Sequence, residues 1–65
     1  MTVAEIDGLY LHQKGGLYHV TDIAKHTETG EELVIYKNAH TGETWARPLA
    51  MFEGDKDGKP RFTQV

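Results

Sequence analysis

Hydrophobic and polar positions in this chain alternate over short runs, with no sustained three-and-four spacing of a helix, and glycine-bearing turns separate the runs. Residues 9–12 place Leu9 and Leu11 on one side and Tyr10 and His12 on the other, which predicts a short strand. Gly15 and Gly16 follow as a turn, because glycine accepts the positive φ angles that other residues resist. Residues 17–26, rich in tyrosine, valine, threonine and isoleucine, predict one long strand with a bulge near Asp22. Residues 27–30 close a hairpin with Gly30 in the left-handed region, and residues 31–37 return antiparallel. In that return strand Leu33 and Ile35 share one face while Val34 and Tyr36 share the other. Both faces are apolar, as in a strand covered on two sides.

A second turn spans residues 38–42, where Thr41-Gly42-Glu43 echoes Thr29-Gly30-Glu31. Threonine and glycine are ordinary turn formers, so reused turn chemistry explains the echo without an internal repeat. The next stretch, Trp45-Ala46-Arg47-Pro48-Leu49-Ala50-Met51-Phe52, is where the chain changes direction. The residue before a proline is pushed to extended geometry, so Arg47 should end a strand, and Pro48 has the φ suited to the first position of a helical turn. Asp57-Gly58 then signals a last hairpin. The predicted fold is all-β: a small SH3-like open barrel of five or six short antiparallel strands, with one short helical turn near residues 48–52. Residues 1–8 form a loosely ordered lead-in whose deletion should be tolerated, and residues 9–65 a single small β domain. Leu17, Val20, Ile23, Leu33, Ile35, Leu49, Met51, Phe52 and Phe62 are the expected core.

Size narrows the possible functions. A chain of 65 residues makes one domain, and so small a globule buries only about 60% of the surface its unfolded chain exposes. Cysteine is absent, which excludes disulfides and thiolate chemistry and points to a cytoplasmic location. No apolar run approaches the ~20 residues of a membrane span. Ten acidic residues against seven lysines and arginines give a net charge of −3, which argues against a broad grip on nucleic acid. A local patch built from Lys14, Lys37, Arg47 and Arg61 remains open.

Catalytic chemistry finds little support. His12, His19, His26 and His40 lack the paired spacing of a structural zinc site, so no metal and no cofactor is expected. Serine is absent along with cysteine, and Glu31 and Glu32 are adjacent, which in a strand points them to opposite faces. The chain is therefore expected not to be an enzyme. Trp45 and Arg47 alternate onto one face, where an indole beside a guanidinium can stack a base or hold a proline or a carboxylate. Alternatively Trp45 plugs the core and Arg47 pairs with Glu31 or Glu32. Tyr10, His12, Tyr18 and Tyr36 pose the same question: beside Arg47 and Arg61 they would form an aromatic and basic groove, and turned inward they would fill the domain.

These residues also fall into a recognisable set: Tyr10-x-His12-x-Lys14-Gly15, Tyr18-x-Val20, His26-x-Glu28-Thr29-Gly30-Glu31, Val34-x-Tyr36, Trp45-x-Arg47-Pro48-Leu49-x-Met51-Phe52 and Arg61-Phe62. Together they resemble a family of small bacterial domains known as domain of unknown function 1653. The tryptophan-to-phenylalanine segment is the most specific part. The resemblance implies that Tyr10, His12, Lys14, Tyr18, Tyr36, Trp45, Arg47 and Arg61 occupy motif positions, and it implies no particular reaction. The short, glycine-containing linkage at residues 38–43 departs from the family pattern, and partner contacts there would set this chain's specificity apart. The leading expectation is a non-catalytic binding module presenting Tyr10, His12, Lys14, Tyr36, Trp45, Arg47 and Arg61 to a nucleic acid or a protein segment. It is expected to be a monomer in preference to an obligate oligomer. A structural domain pairing through a strand edge is the main alternative, and an enzyme acting on a small nucleotide-like substrate is a third.

Overall fold

A computed structural model describes residues 4–65. The strands are β1 (Leu9–His12), β2 (Leu17–Lys25), β3 (Glu32–Asn38) and β4 (Thr44–Pro48), followed by helix α1 (Leu49–Glu53) and by β5 (Asp55–Lys56), β6 (Lys59–Pro60) and β7 (Phe62–Gln64). Five strands form one antiparallel sheet in the order β4-β3-β2-β1-β7, and β5 and β6 make a separate small hairpin. The all-β class and the single helical turn are as expected. The sheet is open, with β4 and β7 as its two edges and no closure into a barrel. Pro48 still pairs with Leu33 at φ −52° and ψ 134°, so the helix starts one residue later than the proline rule placed it. An edge strand tolerates proline where its nitrogen faces away from the ladder.

Register decides which side chains meet. Cross-strand partners share a face, so the pairs Tyr10 with Tyr18, His12 with Phe62, Val20 with Tyr36, Tyr36 with Trp45 and Val34 with Arg47 all lie on one side of the sheet. The bulge expected near Asp22 falls between Val20 and Asp22. One extra residue there shifts the alternation, so that Ile23 pairs with Val34 on the inner side while Asp22 stays exposed. The Thr21 hydroxyl donates to the Ile35 carbonyl at 3.3 Å across this irregularity.

The core is more aromatic than expected. Tyr10, Val20, Val34, Tyr36, Phe52 and Phe62 are buried, with Ala4, Tyr18 and Leu49 packed against them. Of the expected core, Leu17, Ile23, Leu33, Ile35 and Leu49 are only half-buried, and Met51 is 47% exposed. The reason is coverage. Among the described residues a single five-residue helix packs on one face of the sheet, so Val34 and Tyr36 are sealed while Leu33 and Ile35, on the opposite face, are not. Tyrosines reach the interior because a phenol can bury its ring and still satisfy its hydroxyl.

The segment before β1 illustrates this. Residues 1–3 of the expected lead-in lie outside the described residues; from Ala4 onward it is joined to the sheet. The Glu5 N–H donates to the Tyr10 hydroxyl at 2.8 Å, and the Ala4 N–H donates to a Glu53 carboxylate oxygen at 3.1 Å. Asp7 has φ 68°, its N–H donates to the Val20 carbonyl at 2.7 Å, and the Val20 N–H donates to the Gly8 carbonyl at 3.0 Å. Two residues thus oppose one, extending the β1–β2 pairing. A Cβ on Gly8 would lie 2.8 Å from Cε1 of Tyr10, so a side chain there would displace a core ring.

The two echoing turns share one hydrogen-bond pattern. In residues 26–31 the His26 N–H donates to the Glu31 carbonyl and the Gly30 N–H to the His26 carbonyl; in residues 38–43 Asn38 does the same with Glu43 and Gly42. His26 Nδ1 accepts from Glu28 N–H, as Asn38 Oδ1 accepts from His40 N–H, and each threonine hydroxyl accepts from the following glutamate N–H. Gly30 and Gly42 have φ of 75° and 78°. The imidazole stands in for an asparagine carbonyl.

Two outcomes follow from these contacts. His26→Asn should leave stability within about 0.5 kcal/mol of wild type while His26→Ala loses about 1 kcal/mol, read from urea midpoints. Deleting residues 1–8 should cost on the order of 2 kcal/mol, or roughly 10 °C in melting temperature, by calorimetry.

Candidate functional site

Toward β4, the inner face opens into a cleft. Its lining comes from five strands: His12 of β1, Tyr18 of β2, Tyr36 of β3, Trp45 and Arg47 of β4, and Phe62 of β7, around about 220 Å³. Strand alternation aims these side chains the same way, and the rings then meet edge to face. Centroid separations are 4.9 Å for His12 and Phe62, 5.3 Å for Tyr18 and Tyr36, and 5.6 Å for Tyr36 and Phe62. Such pairs place a positive ring edge on a negative ring face.

Arg47 is the charged group in this lining. Its Nε donates to the Tyr36 hydroxyl at 3.2 Å, and its Cζ lies 5.9 Å from the Phe62 ring centre. One edge and one face of the guanidinium are thereby held, and the terminal nitrogens remain for a ligand. Among the described residues no carboxylate pairs with it, so the alternative in which Glu31 or Glu32 neutralises Arg47 does not form. Trp45, 50% exposed, is not a core plug either. It stands at the open side of the cleft beside Arg47.

Of the seven candidate residues, the fold brings four together: His12, Tyr36, Trp45 and Arg47. Tyr36 contributes from beneath, since it is buried and its hydroxyl holds Arg47. The other three go elsewhere. Tyr10 is fully buried against Phe52, with ring centres 5.2 Å apart, because its side faces the helix. It is a core residue, which corrects its assignment to a recognition surface. Lys14 sits exposed in the turn after β1, where its backbone N–H donates to His12 Nδ1 at 3.1 Å. That bond leaves the proton of a neutral His12 ring on Nε2. Arg61 is half-buried between β6 and β7 and does not line the cleft; its Nε is buried with no hydrogen-bond partner among the described residues. Two lining residues lay outside the candidate list. The sequence marks Tyr18 only as a motif position and Phe62 only as core, and the pairing of Phe62 with His12 makes it the floor of the cleft as well.

A second, wider hollow of about 580 Å³ lies on the outer face, bordered by Asp7, Leu9, His19, Lys37 and the turn at residues 38–42. It is shallow, and of its two imidazoles, His19 and His40, the first is engaged, with His19 Nε2 3.4 Å from an Asp7 carboxylate oxygen. Among the described residues no three histidines or carboxylates converge as metal ligands. No helix among them is long and apolar enough to cross a membrane.

A small all-β domain with an aromatic, arginine-bearing cleft is the class that fold and site define. By sequence the chain belongs to the family described as protein of unknown function (DUF1653), whose family model matches residues 8–64. No curated protein and no solved structure matches it.

Burial raises the Tyr10 phenol above its ordinary value of 10.0; the Glu5 N–H bond lowers it, and the Glu5 and Glu53 carboxylates raise it further. The neutral phenol is favoured in the folded state, so its contribution is intact below about pH 10 and is lost as pH rises from there through the folded value. Alkaline denaturation monitored by circular dichroism should therefore show a steeper loss of stability above about pH 10 in wild type than in Tyr10→Phe.

Proposed function

We propose that this chain is a non-catalytic, monomeric binding module of the cytoplasm. Its cleft takes one flat group from a nucleic acid or a protein segment, stacked beside Trp45, with an oxygen at the group's edge held by Arg47. The observation that carries this reading is the pairing of a half-exposed indole with a guanidinium that has no carboxylate partner among the described residues. An uncompensated arginine in an aromatic setting disfavours a cationic ligand and favours a carbonyl or an acid oxygen.

Size supports the same reading. At about 220 Å³ the cleft is smaller than the ~300 Å³ typical of pockets that enclose a whole small molecule. One ring or one short side chain of a longer ligand fits that scale. The lining is also already packed ring on ring, so its geometry costs little ordering entropy when a ligand arrives.

Trp45 fluorescence supplies the test. Free protein should emit at long wavelength and be quenched by iodide, and short oligonucleotides or peptides that enter the cleft should shift that emission. Arg47→Ala should weaken such binding roughly ten- to hundredfold, as expected for loss of a charge-assisted hydrogen bond of about 1.5–3 kcal/mol, with the fold intact by circular dichroism. Binding unchanged in Arg47→Ala would reject the reading.

A further inference from the structure

The cleft ends at a free sheet edge, and the two features share residues. The hairpin joining β3 to β4 is closed by the Asn38 N–H donating to the Glu43 carbonyl. Antiparallel pairs alternate between hydrogen-bonded and non-hydrogen-bonded, so counting from that closure directs the main chains of Trp45 and Arg47 toward Tyr36 and Val34 of β3. The same count turns the N–H and C=O groups of Thr44 and Ala46 outward. The bond from the Thr21 hydroxyl to the Ile35 carbonyl fits this parity, since Ile35, opposite Ala46, must then point its main chain at β2.

Resting on the cleft-binding reading, we infer that the occupant is an extended peptide that adds along β4 as a further strand, placing a carboxylate side chain at Arg47 and a flat or apolar one at Trp45. Residues of an added strand opposite Trp45 and Arg47 share their face of the sheet and are separated by one residue, so both would lie on the cleft's side of the sheet, flanking the indole and the guanidinium. Backbone pairing with Thr44 and Ala46 would supply affinity, and the cleft would supply selection.

Three further observations favour a peptide. Thr44 and Ala46 are exposed, and their small side chains leave the edge open, whereas edges that must stay unpaired usually carry lysines or bulges. Pro48, at the next outward position, has no N–H to offer, which limits pairing to a short segment. The net charge of −3 repels a polyphosphate, while a single uncompensated arginine matches one carboxylate.

The test selects decapeptides against the full chain from a library in which Asp or Glu stands two residues from Phe, Tyr, Trp, Leu or Pro. Selected peptides should shift Trp45 emission and the amide resonances of Thr44 and Ala46. N-methylation of peptide amides should weaken binding at least tenfold at alternate positions only. Ala46→Pro should do the same, and peptide methylation decides the matter should that variant unfold. Peptides that shift Trp45 yet tolerate methylation at every position would overturn strand addition and leave the cleft reading standing. So would an empty selection combined with Trp45 quenching by oligothymidylate. Failure of both ligand classes to perturb Trp45 would overturn both readings.

Discussion

Phe52 and Phe62 stack at 4.2 Å between ring centres, 14° from parallel, and that contact joins the helix to the last strand. One ring comes from α1 and the other from β7, segments brought together from either end of the small β5–β6 hairpin. Tyr10 and Tyr36 close around the pair, at 5.2 Å and 5.7 Å from Phe52. With a single short helix among the described residues, these have one sealed face, and rings fill it because they bury the most area per residue. The far face, with Leu9 at 42% and Leu11 at 49% exposure, makes no comparable contribution.

Fold and site consequently overlap. Phe62 stacks on Phe52 below and supports His12, Tyr18 and Arg47 above. Tyr36 is buried, yet its hydroxyl positions the arginine. The cleft is the exposed rim of the core, which gives it rigidity without dedicated supporting residues.

Local chemistry was the legible part of the sequence. Gly15, Gly16, Gly30, Gly42 and Gly58 all have positive φ, as turn positions require, and the bulge near Asp22 was readable because Val20 and Ile23 have the wrong spacing to share a face without one. Inside and outside were harder to assign. Alternation separates Leu9 and Leu11 from Tyr10 and His12, but it does not state which side a distant helix will cover. Apolarity favoured the leucines, and coverage by α1 favoured the tyrosine. Trp45 was undecidable for the same reason, since its exposure depends on β4 being an edge, a property of the whole sheet. The echoing turns show shared chemistry in their Thr-Gly-Glu triplets, but the equivalence of a histidine ring nitrogen and an asparagine oxygen is visible only in the bonds.

The additional residue in β2 acts as a phase shifter within a binary code. Ahead of it, Tyr18 and Val20 are written in one parity; behind it, Ile23 reads in the other, and the hairpin beyond inherits the new frame. Removing that one residue would leave Val20 and Ile23 two positions apart, the spacing of an unbulged strand, and keep wet and dry positions across the β2–β3 ribbon, whereas removing two would make them adjacent and turn them to opposite faces.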